Sequence, residues 1–376
     1  MVRTGGRRAT GSIPAMSDAD DPAAVPRRAV VVGTGLIGGS IGMALRERGW
    51  SVSGTDRDDA RARRALALGA VDRLGPDPEA EITFVATPVG EVPTAAREAL
   101  AAGGGVVTDV GGVKAEIVAT VDDARFVGGH PMAGSEQEGV DGASADLFEG
   151  AVWVLTPVSG TDPGAYTLVR SVVASLGAEV VEVSPDRHDE LVAVVSHVPH
   201  LTAAALMALA AARAEEQRGL LRLAAGGFRD MTRIASGHPG IWPDICATNR
   251  KAIVSTLDEL VGALGQVRDL VDSSDRGGLL DVLEDARRAR NNLPSRGVRP
   301  GELVEIHVPV QDRPGELSGI TTLATDLDVN IYDIEIDHSA ESARGLLVLV
   351  VAAPMGERFV GGLMARGYRP TAHPLE

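Results

Sequence analysis

The sequence predicts an α/β protein of three units: a doubly wound sheet domain, an all-helical domain and a small C-terminal βαββαβ domain. Three observations predict this. Short β-branched apolar runs alternate with helical stretches as far as about residue 183. From 186 to 292, apolar residues recur at helical spacings with almost no strand signal. After a segment rich in Pro and Gly at 293–301, strand–helix alternation resumes. The expected boundaries are a disordered leader at 1–26, a sheet domain at 27–184, a helical domain at 185–292, a linker at 293–301 and a last domain at 302–376.

In chain order, RAVVV at 28–32 reads as a buried strand, because parallel strands covered on both faces are continuously apolar. A glycine loop follows, then a helix over 40–48 that stops near Gly49. A second strand at 51–55 ends at Asp56. Further strands are expected at 81–86, 105–110, 125–128 and 151–156, all parallel. In the helical unit, Ile253, Leu257, Leu260, Leu264, Val267 and Val271 share one helix face. The stretch 203–214 is nearly all Ala, Leu and Met, so it needs burial on several sides. A second copy packed against it would supply that, and a homodimer is expected. The last unit reads as a strand at 303–310, a helix at 315–327, strands at 329–337 and 345–352, a helix at 356–366 and a final strand at 368–373.

Composition narrows the function. Lys and Arg number 36 against 52 Asp and Glu, a net charge of −16. Such a surface repels nucleic acid and anionic membrane, so neither is an expected partner. No run of about 18 apolar residues appears, and no apolar stretch follows the basic first residues. The single cysteine, Cys246, sits in no metal-ligand spacing, and no metal is expected. A cytoplasmic location is expected.

The loop Gly33-Thr34-Gly35-Leu36-Ile37-Gly38 has the GxGxxG pattern between a strand and a helix, with an acid about 20 residues on. Gly33 permits the turn, Gly35 lets backbone approach a pyrophosphate, and Gly38 lets the helix pack on the strand. The helix N-terminus favours phosphate. This predicts a Rossmann-type dinucleotide site. Asp56 is placed to accept from the adenosine ribose and to repel a 2′-phosphate, which favours NAD over NADP; the adjacent Arg57 works the other way. Thr87-Pro88, after the next strand, either lines the same crevice or simply ends the strand.

Three segments concentrate polar side chains: FVGGHPMAGSE at 126–136, SHVPH at 196–200 and GGFRDMTRIASGHPGIWPDICATN at 226–249. With the glycine loop they resemble, in order and separation, the TyrA family of prephenate and arogenate dehydrogenases over about residues 28–292. The resemblance implies oxidative decarboxylation: hydride passes from ring C4 of prephenate to NAD, carbon dioxide leaves, and 4-hydroxyphenylpyruvate forms. It makes His130 the general base for the C4 hydroxyl, although alone a His before Pro reads as a strand end. It makes Arg233 a carboxylate fork, where the alternative is a surface salt bridge to Asp230. His200 contacts substrate or orients Arg233. Ser135 meets a substrate carboxylate, Gly226 lets backbone approach, Asp230 positions Arg233, and Trp242 lies near substrate or in the core. His197 is expected to fix a helix start around Pro199. Many family members carry Ser in the loop where this chain reads Asp109-Val110-Gly111-Gly112-Val113-Lys114. Gly112 lacks that hydroxyl, which leaves water, a nicotinamide ribose or Ser135 to orient His130. Glu136 is a candidate selector between prephenate and arogenate, or else a helix-terminal acid.

Residues 303–373 resemble an ACT domain through VQDRPGELSGI at 310–320. That implies an effector site at Asp312, Gly315 and Asn330 with tyrosine as ligand; the alternative is a ligand-free dimerisation module. A β-hydroxyacid dehydrogenase would need a lysine within 186–212, which has none. A non-catalytic NAD- and amino-acid-sensing regulator would leave His130, His200 and Arg233 without a common purpose.

Overall fold

The computed structural model describes residues 26–135, 137, 139–216, 219–292, 303–311, 313, 315–338 and 344–374. The leader up to residue 25, the linker at 293–301, Glu136 and Asp312 lie outside the described residues.

The first domain contains β1 (Arg28–Val32), α1 (Leu36–Glu47), β2 (Ser51–Thr55), α2 (Asp59–Ala67), β3 (Arg73–Leu74), β4 (Ile82–Val85), α3 (Val92–Ala102), β5 (Val106–Asp109), α4 (Ala115–Val121), β6 (Phe126–Pro131), β7 (Val152–Thr156), α5 (Pro163–Ser175) and β8 (Glu179–Glu182). The sheet order is β3-β2-β1-β4-β5-β6-β7-β8. Helices cover both faces. One core joins Ile41, Leu45, Phe84, Trp153 and Val169; the other joins Val85, Val92, Ile117 and Phe126. This two-sided cover explains the continuously apolar strands.

One expectation fails: the sheet is not wholly parallel. β7 runs antiparallel to β6, with Gly128 opposite Thr156 and Pro131 opposite Trp153. A parallel return needs a crossover, usually a helix. Among the described residues, the chain between β6 and β7 forms only a short 3-10 turn, Val140–Gly142, so it comes back reversed.

Two glycines behave as the loop pattern requires. Gly33 has φ +92°, and a Cβ there would sit 2.4 Å from the Ala86 carbonyl oxygen. A Cβ on Gly38 would fall 1.9 Å from the Gly33 oxygen and 2.9 Å from Val31 Cγ1. The helix starts at Leu36, four residues earlier than expected, because Gly35 itself serves as its N-cap.

The helical domain comprises α6 (Pro185–Val192), a π-helical turn (Ala193–His197), α7 (Val198–Glu216), α8 (Gly226–Thr232), α9 (Trp242–Thr248), α10 (Arg250–Asp272) and α11 (Arg276–Asn291). α6, the π turn and α7 are continuous, so His197 does not mark a helix start. The Val198 N–H bonds back to Ala193, five residues earlier. Pro199 has no N–H to continue the α pattern, and a π turn beside it absorbs the break. Pro185–Ala214 is the one stretch among the described residues long and apolar enough to cross a membrane. It nevertheless buries His188, Asp189 and His197. On α10, Ile253 packs with Ala193 and Val198, while Leu264 and Val271 remain exposed.

The C-terminal domain has β9 (Leu303–Gln311), α12 (Glu316–Asp326), β10 (Ile331–His338), β11 (Arg344–Ala352), α13 (Ala353–Ala365) and β12 (Thr371–Pro374). Its antiparallel sheet has the order β10-β11-β9-β12, and Ile306, Leu349, Phe359 and Leu363 centre its core.

The Gly38 contact gives a stability prediction. Gly38→Ala forces α1 away from β1 and lowers unfolding free energy by about 1–3 kcal/mol in urea titrations. An unchanged midpoint would show that the helix has slack the structure denies.

Candidate active site

β1, β4, β5 and β6 are parallel neighbours, so the segments leaving their carboxyl ends share one edge. That edge carries the glycine loop after β1, Thr87-Pro88 after β4, residues 110–114 after β5 and His130 near the end of β6.

The glycine loop forms a cradle. A Cβ at Gly35 would meet nothing within 4 Å, and no side chain caps the start of α1. The first-turn N–H groups, beginning at Leu36 and Ile37, therefore face space that an anionic group can fill. Thr87 Oγ1 is buried with no hydrogen-bond partner among the described residues, as a ligand-binding hydroxyl would be. Asp56 is more committed than the sequence suggested. Its Oδ2 accepts from the Thr34 N–H at 2.8 Å and the Thr34 hydroxyl at 3.1 Å, and Oδ1 accepts from the Asp58 N–H at 3.0 Å. It thus braces the loop. Arg57 is ion-paired with Glu91.

His130 is oriented by a partner that the sequence reading missed. Its Nδ1 lies 2.8 Å from His188 Nε2, and His188 Nδ1 lies 2.8 Å from Asp189 Oδ1. Asp189 also accepts the backbone N–H groups of Lys114 at 2.7 Å and Ala115 at 2.9 Å. α6 delivers both residues by packing on α4. Ser135 is not that partner. It is exposed, and its hydroxyl accepts from the Gln137 N–H at 3.1 Å. A Cβ at Gly112 would lie 3.8 Å from His130 Nε2, so the ring's other nitrogen faces the glycine. An HD pair on a helix start gives no motif by itself; the missing hydroxyl at Gly112 was the available clue.

The network continues into the helical domain. Asn249 Nδ2 donates to the Asp189 carbonyl at 2.8 Å and lies 3.2 Å from His197 Nδ1. The Asp189 carbonyl can only accept, so the Asn249 atom beside it is the NH2. That NH2 donates to His197 Nδ1 as well. Trp242 meets His197 edge-on and stacks on His200, with ring centroids 3.7 Å apart and planes 14° apart. A Cβ at Gly237 would sit 3.6 Å from His200 Cε1, which brings the Arg233–Ser236 turn beside His200. This turn also packs on α7. The structure therefore gathers His200, Trp242 and the turn of Arg233, and links them to His130 through His188, Asp189, Asn249 and His197. Gly226 opens α8 with free space at its Cα, and Asp230 lies on the same helix. Gly315 and Asn330 belong to the separate C-terminal domain.

Burial first, and then the Lys114 ammonium and the neighbouring imidazoles, which oppose a further positive charge, hold His130 well below the ordinary histidine range. Burial lowers His197 to about 4, although Asp189 opposes this, and burial also lowers His200. Lys114 is fully buried, paired with Asp109 and donating to the Gly129 carbonyl at 2.8 Å. Burial pulls its ammonium down, and Asp109 holds it up.

These shifts carry a sign. Below about pH 6.5 the unfolded chain protonates histidines that the fold keeps neutral, so stability falls with acidification. For His197 the loss accumulates from about pH 6.5 down to about 4, where the folded state protonates too. Thermal melts at steps across that window should show a shallower fall for His197→Gln than for the parent. Parallel curves would mean that His197 contributes nothing to the acid response.

Comparison with known proteins agrees with this geometry. Residues 41–182 match the family described as prephenate dehydrogenase, nucleotide-binding domain, and residues 184–285 match prephenate dehydrogenase, dimerization domain. A prephenate dehydrogenase of Bacillus subtilis is 35% identical, over 85% of this chain and 90% of the relative. The structure of the Aquifex aeolicus prephenate dehydrogenase in complex with hydroxyphenyl propionate and NAD+ is 29% identical, with TM-score 0.67, over 71% of this chain and 98% of that one. The Synechocystis arogenate dehydrogenase structure is 32% identical, with TM-score 0.62, over 70% of this chain and 99% of that one. The uncapped glycine cradle, the neutral His130 beside it and the helical domain clasped to both belong together: the chain is a member of the prephenate dehydrogenase family of NAD-dependent oxidoreductases.

Proposed function

We propose that this chain oxidises prephenate with NAD, releasing carbon dioxide and 4-hydroxyphenylpyruvate. The observation that carries this reading is His130, held neutral at the sheet edge that also carries the glycine cradle. NAD bound in that cradle accepts the hydride from ring C4. Leu36 and Ile37 offer backbone N–H groups to the pyrophosphate, and Thr87 Oγ1 supplies a hydroxyl to the cofactor side of the crevice beside Pro88. Asp56 keeps acceptor capacity on Oδ1 for a ribose hydroxyl, and its charge disfavours a 2′-phosphate. Arg57 is paired with Glu91, and Arg61 lies 3.9 Å from Asp56 Oδ1, so both nearby cations already face a carboxylate.

His130 Nε2 accepts the C4 hydroxyl proton as the carbonyl forms. Arg233 grips a substrate carboxylate through its planar fork, and His200, stacked on Trp242, borders the same space. Ser135 meets a substrate carboxylate, Gly226 gives its backbone room, and Asp230 sets the Arg233 side chain. Arogenate is the second reading, supported by the likeness to the Synechocystis enzyme. Glu136 is the proposed selector between the two.

Three further assignments complete the reading. The chain forms a homodimer through the helical domain, whose Leu209, Val261, Leu264 and Leu283 are exposed in one chain. It works in the cytoplasm. Its C-terminal domain is an ACT-type regulator for tyrosine, with Asp312, Gly315 and Asn330 at the ligand. Gly315, at φ +97°, begins α12 without a side-chain cap. The Bacillus subtilis relative matches 85% of the 376 residues, about 320, which is more than the 292 preceding the linker.

NADH formation with prephenate and with arogenate, each with and without tyrosine, tests these points together. Turnover of neither substrate, with NAD bound, would defeat the enzymatic reading; insensitivity to tyrosine would defeat the regulatory one. His130→Asn should reduce kcat by about 10²–10⁴. Arg233→Lys should raise KM for prephenate by about 10–100-fold through loss of the fork, with a smaller effect on NAD.

A further inference from the structure

We propose that His188 and Asp189 are positioning residues that fix the tautomer of His130, presenting its Nε2 lone pair to the substrate hydroxyl. The inference rests on the reading of His130 as the base, and it is built from hydrogen-bond logic at four atoms.

A carboxylate only accepts. Asp189 already accepts two backbone N–H groups, from Lys114 and Ala115, and its Oδ1 lies 2.8 Å from His188 Nδ1. His188 Nδ1 must therefore carry a proton. In the neutral imidazole with that proton on Nδ1, the Nε2 of His188, a ring 1% exposed, is a bare acceptor. That acceptor lies 2.8 Å from His130 Nδ1, which must in turn donate. With its proton on Nδ1, neutral His130 has its lone pair on Nε2. This is the nitrogen that faces Gly112.

The arrangement has two consequences. His130 is locked in the tautomer that places its basic nitrogen outward. When Nε2 takes the hydroxyl proton, the Nδ1 proton stays where it is, and the new cation is stabilised by the bond to His188 backed by the Asp189 charge. The same logic governs a carboxylate behind a catalytic imidazole elsewhere, where loss of the correct tautomer costs about 10⁴ in kcat. In this chain an extra imidazole lengthens the link. It reaches His130 at Nδ1, while Gly112 lies toward Nε2.

The test is the nitrogen spectrum of full-length, ¹⁵N-histidine-labelled protein saturated with NAD, with His130 assigned by its absence in His130→Asn. The parent should show His130 protonated at Nδ1 and bare at Nε2 at neutral pH. Protonation at Nε2 in the parent overturns the proposal without recourse to any variant. His188→Leu removes the acceptor: kcat should fall about 100-fold or more with KM values within about threefold, and His130 should lose its Nδ1–H preference. His188→Gln offers an amide donor to Asp189 and an amide acceptor to His130, and should recover at least tenfold of the kcat lost in His188→Leu. A leucine variant within threefold of the parent, or a glutamine variant no better than leucine, also overturns it. Because the tautomer is read without turnover, failure of the positioning pair is separable from failure of the base assignment. The latter would show as an active His130→Asn.

Discussion

The Asp189 carboxylate receives N–H groups from three places: Lys114 and Ala115 at the start of α4, and the His188 ring on its own helix. Its backbone carbonyl receives a fourth from Asn249 at the start of α10. One buried residue thus joins the start of α4 in the first domain, its own helix α6 and the start of α10. Removing that negative charge would strand two backbone donors in the interior, each costing on the order of 1–3 kcal/mol.

The interior around it is electrostatically ordered in a protein with a net charge of −16. Lys114 is spent on Asp109 and the Gly129 carbonyl, inside the sheet edge. It adds positive potential beneath His130 and helps to keep that ring neutral. The uncapped start of α1 adds a partial positive charge along the same edge. An acidic protein can therefore receive anionic ligands here, since the local field is set by buried groups and backbone while the surface charge is screened within about 8–10 Å.

Much of this was readable from local chemistry. The run RAVVV and the glycines at 33, 35 and 38 announce a strand, a tight turn and a close-packed helix, because each glycine answers a steric demand visible in the pattern. Resemblance marks His130 and Arg233, and departure from it marks Gly112. What stayed hidden depended on contacts between residues far apart in sequence. His188 and Asp189 lie 58 and 75 positions from their partners His130 and Lys114, and nothing in PDRHDELV marks them as other than a polar helix start. The reversal of β7 was concealed for a similar reason, since a strand's direction is set by what connects it and not by its own residues. Asp56 stands out by its spacing from the glycine loop, but its bonds to Thr34 are made across the turn, where a spacing rule cannot see them.

The π turn at Ala193–His197 bears on how this helix tolerates change in length. Each residue turns an α-helix by about 100°. His188 and Asp189 on one side of the π turn, and His200 on the other, must both aim at the crevice. A π turn spends five residues where an α turn spends four, so deleting one residue there would leave Asp189 and His200 in nearly the same relative rotation. What it would remove is the relief around Pro199, whose ring and missing N–H do not fit a regular α turn. Along this rod the extra residue serves the proline and lets a break in hydrogen bonding occur without turning the site residues away from one another.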